Sequence, residues 1–347
     1  MSSTTIAYIA DRIFDGYQWH NDKALVIENG KLRELINKSA VPAKMPAHDF
    51  GSGTSIVPSF IELQVYGAMG KLLAMHPTTE ALECLVKYAR EGGTRWSMPT
   101  VATNTYEVFY QCIDAVRAYW KNGGTGITGL HIEGPWVHPL RKGAHKEEWI
   151  HVPTMEQATA LLEYGKGIIR MMTIAPERVS QELIELLRSY DVILSAGHSN
   201  ATYEEAKHAF RNGVNAVTHL YNAMSPLQHR APGLAGAAMD DDEVMVSIIP
   251  DGHHVDFAAV RIAKAVVKER LFVITDAVTD TPDGPYPHTK AGDKYESNGI
   301  LSGSALQMNE AVRNLVKHVG VEPGEAIRMC SLYPAQVLKK PCDYRKV

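Results

Sequence analysis

From residue 57 onward the sequence alternates short apolar runs with amphipathic stretches of helical period, and it does so eight times. The runs fall at residues 60–65, 95–99, 129–133, 171–175, 192–196, 216–219, 245–250 and 271–275. Between them, residues 79–91, 105–120, 180–189 and 203–212 carry apolar side chains at helical spacing. A strand buried on both faces reads as a continuous apolar run, and a parallel neighbour is reached through a crossover helix. Repeated eight times, that unit predicts an α/β fold, a closed (β/α)8 TIM-type barrel with its helices outside. An open, doubly wound parallel sheet is the alternative.

Such a barrel takes ~250 residues, and the chain has 347, so another unit is expected. Residues 6–9 and 24–27 are short apolar strands, and Glu28-Asn29-Gly30 joins the second to a strand at 31–36 as a hairpin. Residues 40–55, with their Pro, Gly and Ser, read as a connection. Two helical stretches, 305–319 and 324–331, follow the barrel pattern. The expected organisation is residues 1–56 as a β-rich N-terminal unit and 57–330 as the barrel, followed by residues 331–347.

Composition narrows the function classes. A net charge of -4 gives no reason to expect nucleic acid or an anionic membrane as partner. No apolar run approaches the ~20 residues that span a bilayer, and the opening Met1 to Thr5 lacks the features of a secretory signal. Cys84, Cys112, Cys330 and Cys342 form no C-x-x-C pair and read as thiols in a reducing cytoplasm. Fifteen histidines raise the expectation of metal chemistry.

Active sites of parallel barrels lie at the C-terminal strand ends. The third run ends in His131-Ile132-Glu133-Gly134-Pro135, the fifth in Gly197-His198-Ser199, the sixth in Thr218-His219-Leu220, and the eighth in Thr275-Asp276-Ala277. Glu133, His198, His219 and Asp276 therefore point to one mouth. Two imidazoles and a carboxylate suit Zn²⁺ or Fe²⁺ with a position left open for water. Asp276 is then free to take a proton from that water. Each residue has an ordinary reading alone: a satisfied structural histidine, an N-cap for Asp276, a solvent-facing loop charge for Glu133. Four of them at the ends of the third, fifth, sixth and eighth runs favour a site.

At these residues the sequence resembles the N-acetylglucosamine-6-phosphate deacetylases of the amidohydrolase superfamily, along nearly the whole chain. The matching blocks are residues 57–62, His131 to Pro135, 197–201, 218–224, 232–236, 251–256, 274–277 and 301–306. The run Thr218-His219-Leu220-Tyr221-Asn222-Ala223-Met224 and the Asp251-Gly252-His253-His254 element are specific to this branch. The resemblance implies deacetylation of N-acetyl-D-glucosamine 6-phosphate to D-glucosamine 6-phosphate and acetate, in amino-sugar catabolism. It implies one divalent metal held by Glu133, His198 and His219, with Zn²⁺ the first expectation and Fe²⁺, Co²⁺ or Mn²⁺ the alternatives. Asp276 would be general base and then acid, with His145 beside the substrate carbonyl. Ala144, Asn222, Ala223, Arg230 and His254 would bind substrate. Asn222 and Ala223 are expected at a helix N-terminus suited to phosphate, and Arg230 is expected to come from the partner in a homodimer.

The sequence departs from the pattern in two places. Gln64 and Tyr66 stand where many superfamily members carry a His-x-His pair for a second metal, so no second site is expected. Family members also usually continue past Tyr333-Pro334-Ala335 into further strands of the small domain, whereas here few residues follow; the resemblance thus implies a small β-sandwich domain whose N-terminal part is residues 1–56, with 331–347 as a shortened return toward it. Two other functions remain to be weighed: hydrolysis of a different amide, such as N-acetylgalactosamine 6-phosphate or a cyclic imide, and an inactive barrel serving as a scaffold.

Overall fold

A computed structural model describes residues 4–297 and 299–339. Its centre is a sheet of eight parallel strands paired in strict chain order. They are Phe60–Val65, Thr94–Ala102, Leu130–Glu133, Ile169–Ile174, Ile193–Ala196, Ala216–Val217, Met245–Ile248 and Leu271–Val273. Each coincides with one of the eight apolar runs. The ring closes just beyond the eighth strand, where Asp276 N–H donates to the Gln64 carbonyl (3.0 Å) and Tyr66 N–H to the Ala277 carbonyl (2.9 Å). The sheet is a closed barrel, not an open doubly wound one.

The outer helices begin where side chains can satisfy their free N–H groups. Thr78 and Ser180 accept from Ala81 and Leu183 N–H to start Thr79–Glu91 and Gln181–Ser189. Thr154 with Gln157 and Thr202 with Glu205 form reciprocal capping boxes. Each helix buries one stripe, such as Leu82, Leu85 and Val86, into the core shared with the strands. Among the described residues no helix is long and apolar enough to cross a membrane.

The N-terminal segment forms two small sheets. One pairs Lys31–Asn37, Lys23–Glu28, Thr5–Ile9 and Ala47–Asp49; the other pairs Trp19–Asn21, Arg12–Phe14 and Ser55–Ile56. The hairpin at Asn29-Gly30 is present. Residues 40–55, expected as a connection, contain the strand Ala47–Asp49. It is exposed throughout and pairs with Thr5–Ile9 along its main chain, so it carries no apolar alternation. The second sheet seats on the barrel: Phe14 is buried in the main core, and Trp19 Nε1 donates to Glu322 (3.4 Å).

Beyond Asp276 the chain makes an excursion that sequence reading did not detect. Thr289–Ala291, Lys294–Ser297 and Ile300–Ser304 form an antiparallel three-stranded sheet. It returns to the rim, where Ser304 N–H donates to the Asp276 carbonyl (3.0 Å). Helices Met308–Asn314 and Pro323–Cys330 follow, and Leu332–Val337 packs against the first and eighth strands. Of the return toward the small domain expected at 331–347, residues 331–339 are described and contain the helix Leu332–Val337, while 340–347, with Cys342, lie outside the described residues. Cys84, Cys112 and Cys330 are free thiols.

Candidate active site

Strand alternation points His131 and Glu133 to the same side, into the barrel. His198, His219 and Asp276 lie just past their strands and take left-handed backbone, with φ of +46°, +36° and +56°. Side chains with a Cβ seldom hold this conformation, which costs ~1–3 kcal/mol per residue. The turn directs each side chain over the rim. Gly197 permits the approach: a Cβ there would lie 2.7 Å from Thr173 Cγ2 and 2.9 Å from Thr218 Cβ.

The ligand atoms of Glu133, His198 and His219 lie within 4.8 Å of one another. His198 Nε2 and His219 Nε2 are 3.3 and 3.1 Å from Glu133 Oε1, and 3.1 Å apart. All three residues are buried. His198 Nδ1 donates to the Arg141 carbonyl at 2.9 Å, which leaves Nε2 as the ring nitrogen facing the cluster. His219 Nδ1 is buried without a partner among the described residues. A carboxylate and imidazole lone pairs converging in a buried spot suit a divalent cation, so the residues present fit such an ion. It is the one such cluster among the described residues. Burial would raise the Glu133 carboxyl, but the imidazoles of His198, His145 and His219 hold it well below the usual carboxylate range.

Asp276 stands beside this cluster. Burial, reinforced by the charge of Glu133 and opposed by His219, raises its carboxyl above the ordinary value. Gln64 Nε2 links the two acids, 2.9 Å from Glu133 Oε1 and 2.8 Å from Asp276 Oδ1, and also lies 2.8 Å from the Tyr66 hydroxyl. Tyr66 in turn donates to Glu133 Oε2. Where a second pair of ligands would stand, this chain presents hydrogen-bond donors to the carboxylates.

His145 Nε2 is 3.1 Å from Glu133 Oε2, and its Nδ1 is 2.6 Å from the Thr103 hydroxyl. Burial and the neighbouring His198 push its imidazole down to about 4, which keeps it neutral near pH 7. His254 is oriented by Asp251 (2.7 Å), with Nε2 4.0 Å from Asp276 Oδ2. With Ala144, Asn222 and Ala223 these residues line one cavity of about 210 Å³.

One sequence expectation needs revision here. No helix begins at Asn222 and Ala223: Tyr221 and Ala223 have φ of +78° and +46°, the segment is a chain of turns, and the next helix is Gly233–Asp240. Asn222 spends its N–H on the His219 carbonyl (2.9 Å). Arg230 lies exposed in the Gln228–Ala231 turn, and the cavity lining formed by this chain does not include it.

Sequence reading also passed over several residues. His131 is interior, bonded to the Leu63 carbonyl (3.1 Å) and the Thr173 hydroxyl (2.8 Å), and burial lowers it to about 4. Thr173, Ser195 and Thr218 continue this polar layer beneath the cluster. Tyr286, His288 and Ser302 line the cavity from the excursion after the eighth strand. Only Ser302 carried a signal, as part of the block 301–306.

The Amidohydrolase family pattern matches residues 55–342. An N-acetylglucosamine-6-phosphate deacetylase of Haemophilus influenzae is 33% identical over 337 residues, covering 94% of this chain and 88% of that protein. An N-acetylgalactosamine-6-phosphate deacetylase of Escherichia coli O157:H7 is 32% identical over 343 residues, 95% of this chain and 88% of its own length. The crystal structure of N-acetylglucosamine-6-phosphate deacetylase from Pasteurella multocida superposes with a TM-score of 0.92 at 32% identity, covering 96% of this chain and 90% of that one. With a match over most of the barrel and relatives of this similarity along nearly the whole length, the chain belongs to the amidohydrolase family, in its N-acetylglucosamine-6-phosphate deacetylase branch.

Proposed function

We propose that this protein hydrolyses the acetamide of N-acetyl-D-glucosamine 6-phosphate, releasing acetate and D-glucosamine 6-phosphate in amino-sugar catabolism. The observation that carries the reading is the convergence of Glu133, His198 and His219 beside Asp276 at the floor of one cavity. The names of the similar proteins point to the same substrate class. A divalent ion, with Zn²⁺ as first choice, would be held by these three residues and supply Lewis acidity toward the amide carbonyl.

Asp276 takes the proton of the attacking water and returns it to the leaving amine nitrogen, so one carboxyl serves both steps. Its raised position favours that double duty, because proton return needs an acid that is not too strong. His145, neutral and fixed by Thr103, places its Nε2 beside Glu133 and hydrogen-bonds near the substrate carbonyl, where an oxyanion develops. Gln64 bridges the two carboxylates and Tyr66 donates to Glu133, so donors occupy the place of a second pair of ligands and a single metal is assigned. His254 is assigned to the phosphate, along with Asn222 and Ala223. Arg230 is assigned to the same phosphate from a second subunit, in a cytoplasmic homodimer, and its exposed place on this chain agrees with reaching outward.

The test is acetate and free-amine release from N-acetylglucosamine 6-phosphate by the Zn²⁺-loaded protein, run beside the unphosphorylated sugar and N-acetylgalactosamine 6-phosphate. Turnover of the first at a kcat/KM well above the second is expected. Equal turnover with and without phosphate, or none, would defeat the assignment.

A further inference from the structure

The excursion between Asp276 and Ser304 folds back over the cavity. Its position is fixed by pairing of Thr281 with His288 through both main-chain hydrogen bonds (3.0 and 2.9 Å), and by the Tyr286 hydroxyl, which donates to the Thr103 carbonyl. Val278, Tyr286 and Leu301 make the wall of this side apolar, and His288 and Ser302 are its polar groups. His288 is 5% exposed, and its Nδ1 lies 2.8 Å from the Ser302 hydroxyl. Its other ring nitrogen, Nε2, has no protein partner among the described residues, yet it is not one of the sealed, unpartnered atoms. The ring lines the same space as Glu133, His198, His219 and Asp276. It takes no part in the roles assigned above.

We propose that His288, held by Ser302, is a specificity residue that hydrogen-bonds a ring hydroxyl of the amino-sugar substrate through Nε2. The inference rests on the functional reading above. Buried polar groups are built to be satisfied, and a small ligand in this cavity is the partner that Nε2 lacks. The chemistry of the pair selects a hydroxyl. If Nδ1 donates to Ser302, Nε2 accepts; if the serine donates, Nε2 carries the proton and donates. A hydroxyl can meet either state, whereas phosphate and carboxylate only accept. Burial pushes the His288 imidazole down to about 4, so it brings no positive charge to an anion near pH 7. The apolar neighbours suit the carbon face of a pyranose.

The experiment compares kcat/KM for N-acetylglucosamine 6-phosphate with that for its three monodeoxy analogues, lacking the anomeric, third-carbon or fourth-carbon hydroxyl. The wild type should discriminate against one analogue by about ten-fold, as a site left with an unmet buried polar group does. In His288→Leu that ratio should collapse to about one, while the ratios for the other two analogues stay as in the wild type. Ser302→Ala, which leaves the ring in place, should lower the same ratio partially, and His288→Gln should restore part of it. Equal losses on all four substrates, or an unchanged pattern of ratios, would overturn the proposal. Unchanged thermal midpoints and metal content separate these outcomes from misfolding, and Ser302→Ala carries the test if His288→Leu does not fold. A wild type without activity on the parent sugar phosphate would instead sink the functional reading, and this inference with it.

Discussion

Glu62 sits within the first barrel strand, 3% exposed, where the ring closes on the eighth. One carboxyl oxygen accepts from Gln64 N–H at 2.9 Å, and the two oxygens lie 3.3 and 3.1 Å from Thr275 N–H. Those donors favour the carboxylate, but burial outweighs them and pushes the carboxyl from 4.5 to about 8. Between these values the folded chain keeps a proton that the unfolded chain has released. The stabilising contribution is therefore full below about 4.5 and lost as pH rises through about 8. At ~1.4 kcal/mol per pH unit the gap corresponds to ~5 kcal/mol as an upper figure. Glu62→Gln keeps an oxygen to accept from Thr275 or Gln64 but cannot titrate. Urea unfolding of both proteins, with the same metal content, should be followed from about pH 5 to about pH 9. The wild type should lose stability relative to the variant with rising pH, by ~2–5 kcal/mol over the range. Two curves that stay parallel would show that Glu62 is already ionised in the folded protein, and the burial argument would fail.

Protein loaded with excess Zn²⁺ and then desalted should retain about one equivalent per chain by elemental analysis, because Gln64 and Tyr66 offer donors where a second site needs ligands; two tightly held equivalents would contradict this. Asp276→Asn should keep that metal yet lose ~10²- to 10⁴-fold in kcat, the usual reach of general acid–base work, and near-normal turnover would place the base elsewhere. Arg230→Ala should raise KM for the phosphorylated sugar about ten- to a hundred-fold, the value of a lost charge-assisted contact, with little effect on the unphosphorylated one. Mixing Arg230→Ala chains with Asp276→Asn chains should restore activity if the arginine acts across an interface, and no recovery in verified heterodimers would return Arg230 to its own subunit.

The barrel strands were readable because burial on both faces demands continuous apolar runs; even Ala216–Val217, the shortest, is fully buried. Ala47–Asp49 was not readable, since an exposed strand that pairs through its backbone leaves no side-chain pattern. The excursion after Asp276 failed for a related reason. Its three strands are largely exposed or half-buried, and their role depends on what they cover.

The same distinction runs through the site. Glu133, His198, His219 and Asp276 follow from topology plus chemistry: a parallel barrel fixes where strand ends meet, and few residue types bind metal or move protons there. His131 shows how far that reasoning reaches. It is a histidine on the same strand and face as Glu133, two residues deeper, and there it meets Leu63 and Thr173 in place of the cluster. Depth along the strand separates a structural histidine from a ligand, and sequence alone does not supply it. At Asn222 and Ala223 the expectation of a helix start failed because the backbone needed to aim His219 continues into further left-handed turns. The conformation that aims His219 is incompatible with a helix beginning beside it, so any anion contact there must come from irregular backbone and side chains. His254 is a side chain set for such a contact: Asp251 accepts from its Nδ1 and leaves Nε2 toward the cavity, within the single turn of residues 251–254.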